Sequence, residues 1–118
     1  MRVSELRGPA DFAFVRLVRT MTLAVSAQAD LSVDDADELR MAVDEACNAL
    51  IKAGAVTLGV TFVESDVLTL TIRPTPQLSL AITPTTELIL RTMTDAMMMQ
   101  SDGTISLERR FSRNSADE

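Results

Sequence analysis

Histidine is absent from the 118 residues of the chain, and this absence excludes several kinds of chemistry at once. Acid–base catalysis by imidazole, metal binding by imidazole and phosphorylation on histidine are all ruled out. The single cysteine, Cys47, has no second thiol for a disulfide within the chain, and the sequence supplies no set of zinc ligands around it. Because Cys47 falls inside a helical pattern, we expect it to be a small buried hydrophobic side chain.

Long apolar runs are also missing. No segment approaches the ~20 consecutive apolar residues that a membrane-spanning helix needs. The N-terminal stretch Met1–Gly8 lacks the apolar core of a signal peptide, so we expect a cytoplasmic protein with no membrane partner. Basic residues are in deficit, eleven against seventeen acidic ones, and they form no stripe with interleaved aromatics. This pattern disfavours direct binding of nucleic acid.

The length of the chain and its proportions of hydrophobic and charged residues predict one compact domain. Hydrophobic residues make up 47% of the sequence and charged residues 24%, which suits a single packed core but not two. We assign residues 1–112 to this domain and residues 113–118 to a polar C-terminal tail.

The first predicted helix follows a short strand that ends at Gly8. Pro9 suits the entry of a helix, since its missing N–H is not needed in the first turn. Arg16 and Arg19 lie three residues apart and off the apolar face of this helix. That face is formed by apolar residues at helical spacing: Phe14, Leu17, Val18, Met21 and Val25.

The second predicted helix has clear signals at both ends. Ser32 is placed to cap its start, with Asp35 closing a capping box, and Gly54 is a natural stop. Its predicted buried face consists of Leu39, Val43, Ala46, Cys47 and Leu50.

The centre of this helix carries polar residues that need an explanation. Glu45 and Asn48 are three residues apart, so a carboxylate and a carboxamide share one side of the helix. This arrangement suits a metal–nucleotide site, and it equally suits an ordinary solvated face.

After the second helix the apolar residues no longer follow the helical repeat. Residues 55–64 and 67–74 are rich in Val, Thr, Leu and Ile and predict a hairpin. A third, shorter helix is expected with Thr83 as its cap and Pro84 at its first position. Residues 97–100 and 104–111 flank Ser101–Asp102–Gly103 and predict a second hairpin. Met97–Met99 are expected in the core or at an edge, with an adaptable partner-binding patch as the alternative. The order of elements predicts an α+β two-layer sandwich: a mixed or antiparallel sheet with about three helices on one face.

This order, together with the sequence DADELRMAVDEACNALIKAG of residues 35–54, resembles the anti-sigma-factor serine kinases of bacterial partner-switching systems. These proteins are histidine-kinase-like (GHKL, or Bergerat-fold) ATPases. The resemblance spans nearly the whole chain, and the central helix is its most specific part. It implies the histidine-kinase-like ATPase fold.

The resemblance assigns roles on the central helix. In the family this helix carries a glutamate that acts as general base and, four residues on, an asparagine that binds magnesium. Glu45 matches the glutamate and is the catalytic residue if the protein is active. The asparagine position falls on Ala49, and Asn48 is one residue early, about 100° around the helix. Asn48 is therefore a displaced metal ligand, and magnesium tolerates little displacement.

The remaining nucleotide motifs of the family are not matched. Pro74–Pro76 stand where the family has an adenine-binding aspartate and glycines. Pro84 and Thr86 occupy the places of the glycines that admit the phosphates to a helix start. The connection before the third helix is short for a loop that closes over ATP. We expect no cofactor, with Mg-ATP as the cofactor if the site is functional.

The resemblance leaves several functions open. The first is an anti-sigma-factor-like regulator that binds a sigma factor, an anti-anti-sigma protein or both, to control transcription without nucleotide. Arg16 matches a basic partner-contacting position of the family and Arg19 extends it, so both are predicted to bind the partner. The alternative is an active ATP-dependent serine/threonine kinase that phosphorylates an anti-anti-sigma protein. A third is a pseudo-kinase subunit that dimerises with an active paralogue through the N-terminal strand, and a homodimer is also left open.

Overall fold

A computed structural model describes residues 1–111 of the chain. The predicted tail at 113–118 lies outside these residues. The described part contains five strands and three helices in this order: β1 (Arg2–Pro9), α1 (Phe12–Gln28), α2 (Val33–Lys52), β2 (Thr57–Glu64), β3 (Val67–Thr75), α3 (Pro84–Thr92), β4 (Ala96–Met99) and β5 (Ile105–Arg110). No helix in this part combines the length and the apolar character that a membrane crossing requires.

The strands form one sheet in the order β1-β2-β3-β5-β4, and each neighbouring pair is antiparallel. Burial alternates along the central strands, so one sheet face packs against the helices and the other, the open sheet face, does not. The core-facing residues of these strands are Leu58, Val60, Phe62, Leu68, Leu70, Ile72, Ile105 and Leu107. The predicted α+β sandwich is confirmed, and of the two predicted kinds of sheet the antiparallel one is present.

The start of α1 differs from the prediction. Pro9 does not open the helix: it is the last residue of β1 and pairs with Thr57 of β2. Because β1 is an edge strand, a proline there is tolerated. Asp11 caps the helix instead, and its carboxylate accepts a hydrogen bond from the amide of Phe14 at 2.9 Å.

The buried face of α1 is also rotated from the predicted one. Leu17 was expected in the core, but its side chain is 58% exposed. Val15 and Thr22 are buried instead, beside the correctly predicted Val18. The Thr22 hydroxyl donates to the Val18 carbonyl at 2.8 Å, which satisfies this polar group inside the core.

The ends of α2 follow the prediction closely. The Ser32 hydroxyl accepts a hydrogen bond from the Asp35 amide at 3.0 Å. The Asp35 carboxylate does not close the capping box, because it binds Arg109 of β5. At the other end Gly54 has a positive φ of 105°, and the amides of Gly54 and Ala55 bond back to the last turn.

Cys47 is fully buried, together with the other predicted core residues of α2. Burial raises the pKa of its thiol to about 12, and the negative charge of Asp44 acts in the same direction. The thiol therefore stays protonated and is a core side chain, as predicted.

The later elements match their sequence signals. Thr83 caps α3 and Pro84 is its first residue. Both predicted hairpins are present, β2–β3 and β4–β5. The methionines of β4 lie on an edge strand: Met97 and Met99 pack against the core, whereas Met98 is 61% exposed.

Candidate functional site

A cavity of about 240 Å³ lies between α2 and α3. Glu45 and Asn48, the two polar residues singled out on α2, both line it. Lys52 from the last turn of α2 and Thr83 and Thr86 from the start of α3 complete its polar lining. The structure therefore brings the two predicted residues of the central helix into the lining of one cavity.

Glu45 is half-buried and already has a hydrogen-bond partner. Its carboxylate accepts a hydrogen bond of 2.8 Å from the hydroxyl of Thr86. The same hydroxyl accepts a bond of 3.1 Å from the hydroxyl of Thr83. A chain of hydrogen bonds thus joins the middle of α2 to the start of α3 through Thr86, the residue for which the resemblance implies a glycine.

The start of α3 is capped by its own sequence. The Thr83 hydroxyl accepts a hydrogen bond from the Thr86 amide at 3.1 Å, and Pro84 has no amide hydrogen to offer. Backbone N–H groups at a helix start are the donors that a phosphate group uses. At α3 one of these donors is occupied and another is absent.

The resemblance assigns metal binding to one position of α2, which is Ala49 here. Ala49 has no side-chain ligand, and Asn48 lines the cavity from the neighbouring position on the helix. Within residues 1–111 no group of three or more Cys, Asp or Glu side chains is placed to hold a metal ion.

The connection between β3 and α3, residues 76–83, is attached to the rest of the domain. The Leu78 amide donates to the Asp102 carbonyl at 3.0 Å, in the turn between β4 and β5. Gly103 in that turn has a φ of 92°, and a side chain there would come within 3.0 Å of Pro74. The connection between β3 and α3 is therefore short and packs against the turn between β4 and β5.

The outward face of α1 is the second candidate site. We define it by Phe12, Arg16, Leu17, Thr20 and Leu23, which are all exposed. The side chain of Phe12 is 73% exposed and that of Leu17 is 58% exposed, and the helical repeat places Arg16 between them. Within residues 1–111 Arg16 forms no ion pair.

Arg19, the other predicted partner-binding residue, is engaged within the molecule. Its guanidinium contacts the two carboxylate oxygens of Asp44 at 3.2 and 3.1 Å. Asp44 also accepts a bond of 3.1 Å from Arg40. No local signal in the sequence indicates this role of Asp44, because Arg19 and Asp44 are 25 residues apart and belong to different helices.

Comparisons of the sequence with protein-family models and with curated proteins give no match. Comparison of the structure does: 13 chains of solved structures match. One is the crystal structure of the RsbU and RsbW domains of Rv1364c from Mycobacterium tuberculosis, with a TM-score of 0.79 and 12% sequence identity. The match covers 97% of this chain and 34% of that one, so this chain spans about a third of its neighbour's length. At this identity the likeness establishes the fold, and the predicted histidine-kinase-like architecture is confirmed.

Proposed function

We propose that this protein is an anti-sigma-factor-like regulator. It binds a sigma factor, an anti-anti-sigma protein or both, and controls transcription without nucleotide. The fold it shares with a structure that contains an RsbW domain supports the class of function. The observation that carries the proposal is the outward face of α1, where exposed apolar side chains flank Arg16, which has no ion pair within residues 1–111.

Exposed apolar groups beside an arginine have the composition of a binding surface. Interface cores are enriched in aromatic residues and arginine, and binding energy is concentrated in a few such side chains. Phe12 and Leu17 contribute apolar area, and Arg16 contributes a planar group with five N–H donors. A partner with an acidic group framed by apolar side chains matches this face.

The cavity between α2 and α3 supports the part of the proposal that excludes nucleotide. Thr86 stands where the family has a glycine and donates to Glu45, the position of the general base. A phosphate group would have to displace this contact and would find no amide hydrogen on Pro84.

The active kinase is the second candidate. It is favoured by one observation: Glu45 retains the position of the family's base and faces a cavity of about 240 Å³ that also contains Lys52. In this case the protein would phosphorylate an anti-anti-sigma protein.

The first experiment tests the surface on α1. The wild type is used to capture candidate sigma factors and anti-anti-sigma proteins from the same organism, and binding kinetics are then measured. We expect Arg16→Ala to weaken binding by about 2–5 kcal/mol through a faster off-rate, as for a charge desolvated at an interface. Arg91→Ala on α3 is the matched control and leaves binding unchanged. Equal affinities for the Arg16→Ala variant and the wild type would refute the proposed surface.

The second experiment separates the two candidates. A ligand that binds only the folded state adds ~2.7 kcal/mol of stability at 100 times its Kd. We expect Mg-ATP to leave the melting temperature unchanged. A rise in melting temperature with Mg-ATP that is lost in Glu45→Ala would favour the kinase instead.

A further inference from the structure

The open sheet face carries a pair of arginines that the proposed function does not use. Arg7 of β1 and Arg73 of β3 pair with the same residue of β2, Gly59. Their neighbours Leu6 and Ile72 face the core, so both arginines point to the opposite, open side. Three adjacent strands therefore place arginine, glycine and arginine in one row.

Both arginines border the same depression in the open sheet face. A Cβ atom built on Gly59 would lie 3.7 Å from Nε and 4.0 Å from Nη2 of Arg7. The guanidinium of Arg7 therefore lies over the glycine, on the path towards β3. Arg7, Gly59 and Arg73 line one cavity of about 140 Å³, together with Thr75.

No ion pair within residues 1–111 neutralises either arginine. Other arginines of this acidic chain do have carboxylate partners, among them Arg19, Arg40 and Arg109. Two positive charges on the rim of one cavity repel each other, and an anion bound in the cavity replaces this repulsion with attraction.

We propose that Arg7 and Arg73 form a binding site for a compact oxyanion of the phosphate class. The planar guanidinium groups bind the anion from two sides by hydrogen bonds, and Gly59 leaves space for it because it has no side chain. The hydroxyl of Thr75 is available as a further donor at the rim. The site lies on the opposite side of the sheet from the α2–α3 cavity and stands independently of the function proposed above.

Substitution of Glu5 should change anion binding in the opposite direction to substitution of either arginine. It lines the same cavity, and its carboxylate accepts a bond of 3.5 Å from the Thr61 hydroxyl. Its negative charge opposes a bound anion. Loss of this charge therefore strengthens anion binding, whereas loss of either arginine weakens it.

The test is a titration of the full chain with inorganic phosphate, followed by phosphorus NMR at low chloride concentration. We expect saturable binding by the wild type. Arg7→Gln and Arg73→Gln each weaken it roughly tenfold or more, since each removes charge-assisted hydrogen bonds. Glu5→Gln tightens it, and Gly59→Val weakens it without changing the net charge.

Arg91→Gln is the control for non-specific charge, because Arg91 is exposed and lies on α3. A repeat with phenyl phosphate identifies the source of the ligand. Tighter binding of the ester supports a phosphorylated molecule, and equal binding supports the free ion. The proposal is overturned if the wild type shows no saturable binding, or if Arg91→Gln weakens binding as much as Arg7→Gln does. Melting curves confirm that each variant is folded. If Gly59→Val does not fold, Arg7→Gln and Arg73→Gln still test the proposal, because both side chains are exposed.

Discussion

The α2–α3 side of the molecule and the outward face of α1 differ in whether their polar side chains are bonded within the chain. On the α2–α3 side Glu45 is bonded to Thr86, and Arg109 binds Asp35 and Glu38 at the start of α2. On α1 the guanidinium of Arg16 has no carboxylate partner within residues 1–111, and its apolar neighbours are exposed.

This difference separates residues that hold the fold together from residues that are left for a partner. A polar group bonded within the chain lowers the free energy of the folded state, so its loss appears in unfolding. An exposed apolar group gains little from folding, and its burial contributes only when another molecule covers it. Stability and binding should therefore respond to different substitutions.

Arg109→Ala is expected to have the largest effect on stability. The side chain is only 13% exposed and contacts Asp35, Glu38 and the carbonyl of Met93. Its removal leaves a group of carboxylates without their cation, which costs about 3 kcal/mol in urea unfolding. Partner affinity of the folded fraction stays the same.

The control for this prediction is Arg91→Ala. Arg91 forms an exposed ion pair with Glu87 one turn away on α3, and such pairs contribute about 0.5 kcal/mol or less. Equal losses in the free energy of unfolding for the two variants would mean that burial of Arg109 does not increase its contribution to stability.

Leu17→Ala should weaken partner binding by more than about 1 kcal/mol and leave the free energy of unfolding within about 0.5 kcal/mol. Leu88 on α3 is the matched control, since its side chain is 66% exposed and lies on another helix. Both variants are compared by binding kinetics and chemical denaturation. If Leu88→Ala reduces binding more than Leu17→Ala, the partner docks on α3.

A double-mutant cycle tests the contact between Glu45 and Thr86. Glu45→Ala and Thr86→Val are each expected to cost about 1 kcal/mol of stability, with a coupling of about 0.5–1.5 kcal/mol. Urea unfolding of the two single variants and the double variant gives this coupling. A coupling near zero would show that Glu45 contributes nothing to stability through Thr86 and is free for other chemistry.

Arg19→Ala should have the smallest effect. Its pair with Asp44 is partly exposed, so we expect a stability loss of about 0.5 kcal/mol. Because the guanidinium is engaged with Asp44, its loss should weaken partner binding less than Arg16→Ala does. Should the two variants weaken binding equally, both arginines belong to the partner surface.

Signals within a few residues of one another predicted most of the fold. Ser32 and Thr83 cap the helices that their positions indicate, and the change from helical to alternating periodicity marks both hairpins. These features depend on local backbone chemistry, which is fully contained in a short stretch of sequence.

The two errors in α1 have a common origin in distant contacts. Pro9 belongs to β1 because β1 pairs with β2, and nothing near Pro9 indicates a partner at Thr57. Leu17 is exposed because the helix turns Thr22 inward, and a count of apolar residues treats threonine as polar. Tertiary packing decided both positions.

Of the candidate site, only the part on α2 could be predicted from the sequence. The spacing of Glu45 and Asn48 placed them on one side of α2, as observed. The bond from Thr86 to Glu45 spans 41 residues, and that from Arg19 to Asp44 spans 25. Such pairs depend on how helices pack, and the sequence carries no local signal for them.

The strand order has a consequence for the synthesis of the chain on the ribosome. β3 lies between β2 and β5, yet β5 is the last strand of the described residues to be translated. Until Ile105–Arg110 emerge, one edge of β3 is unpaired, and Leu68, Leu70 and Ile72 lack part of their cover. An open apolar edge is a site for aggregation and for chaperone binding. The nascent chain thus cannot finish its core until β5 has left the exit tunnel.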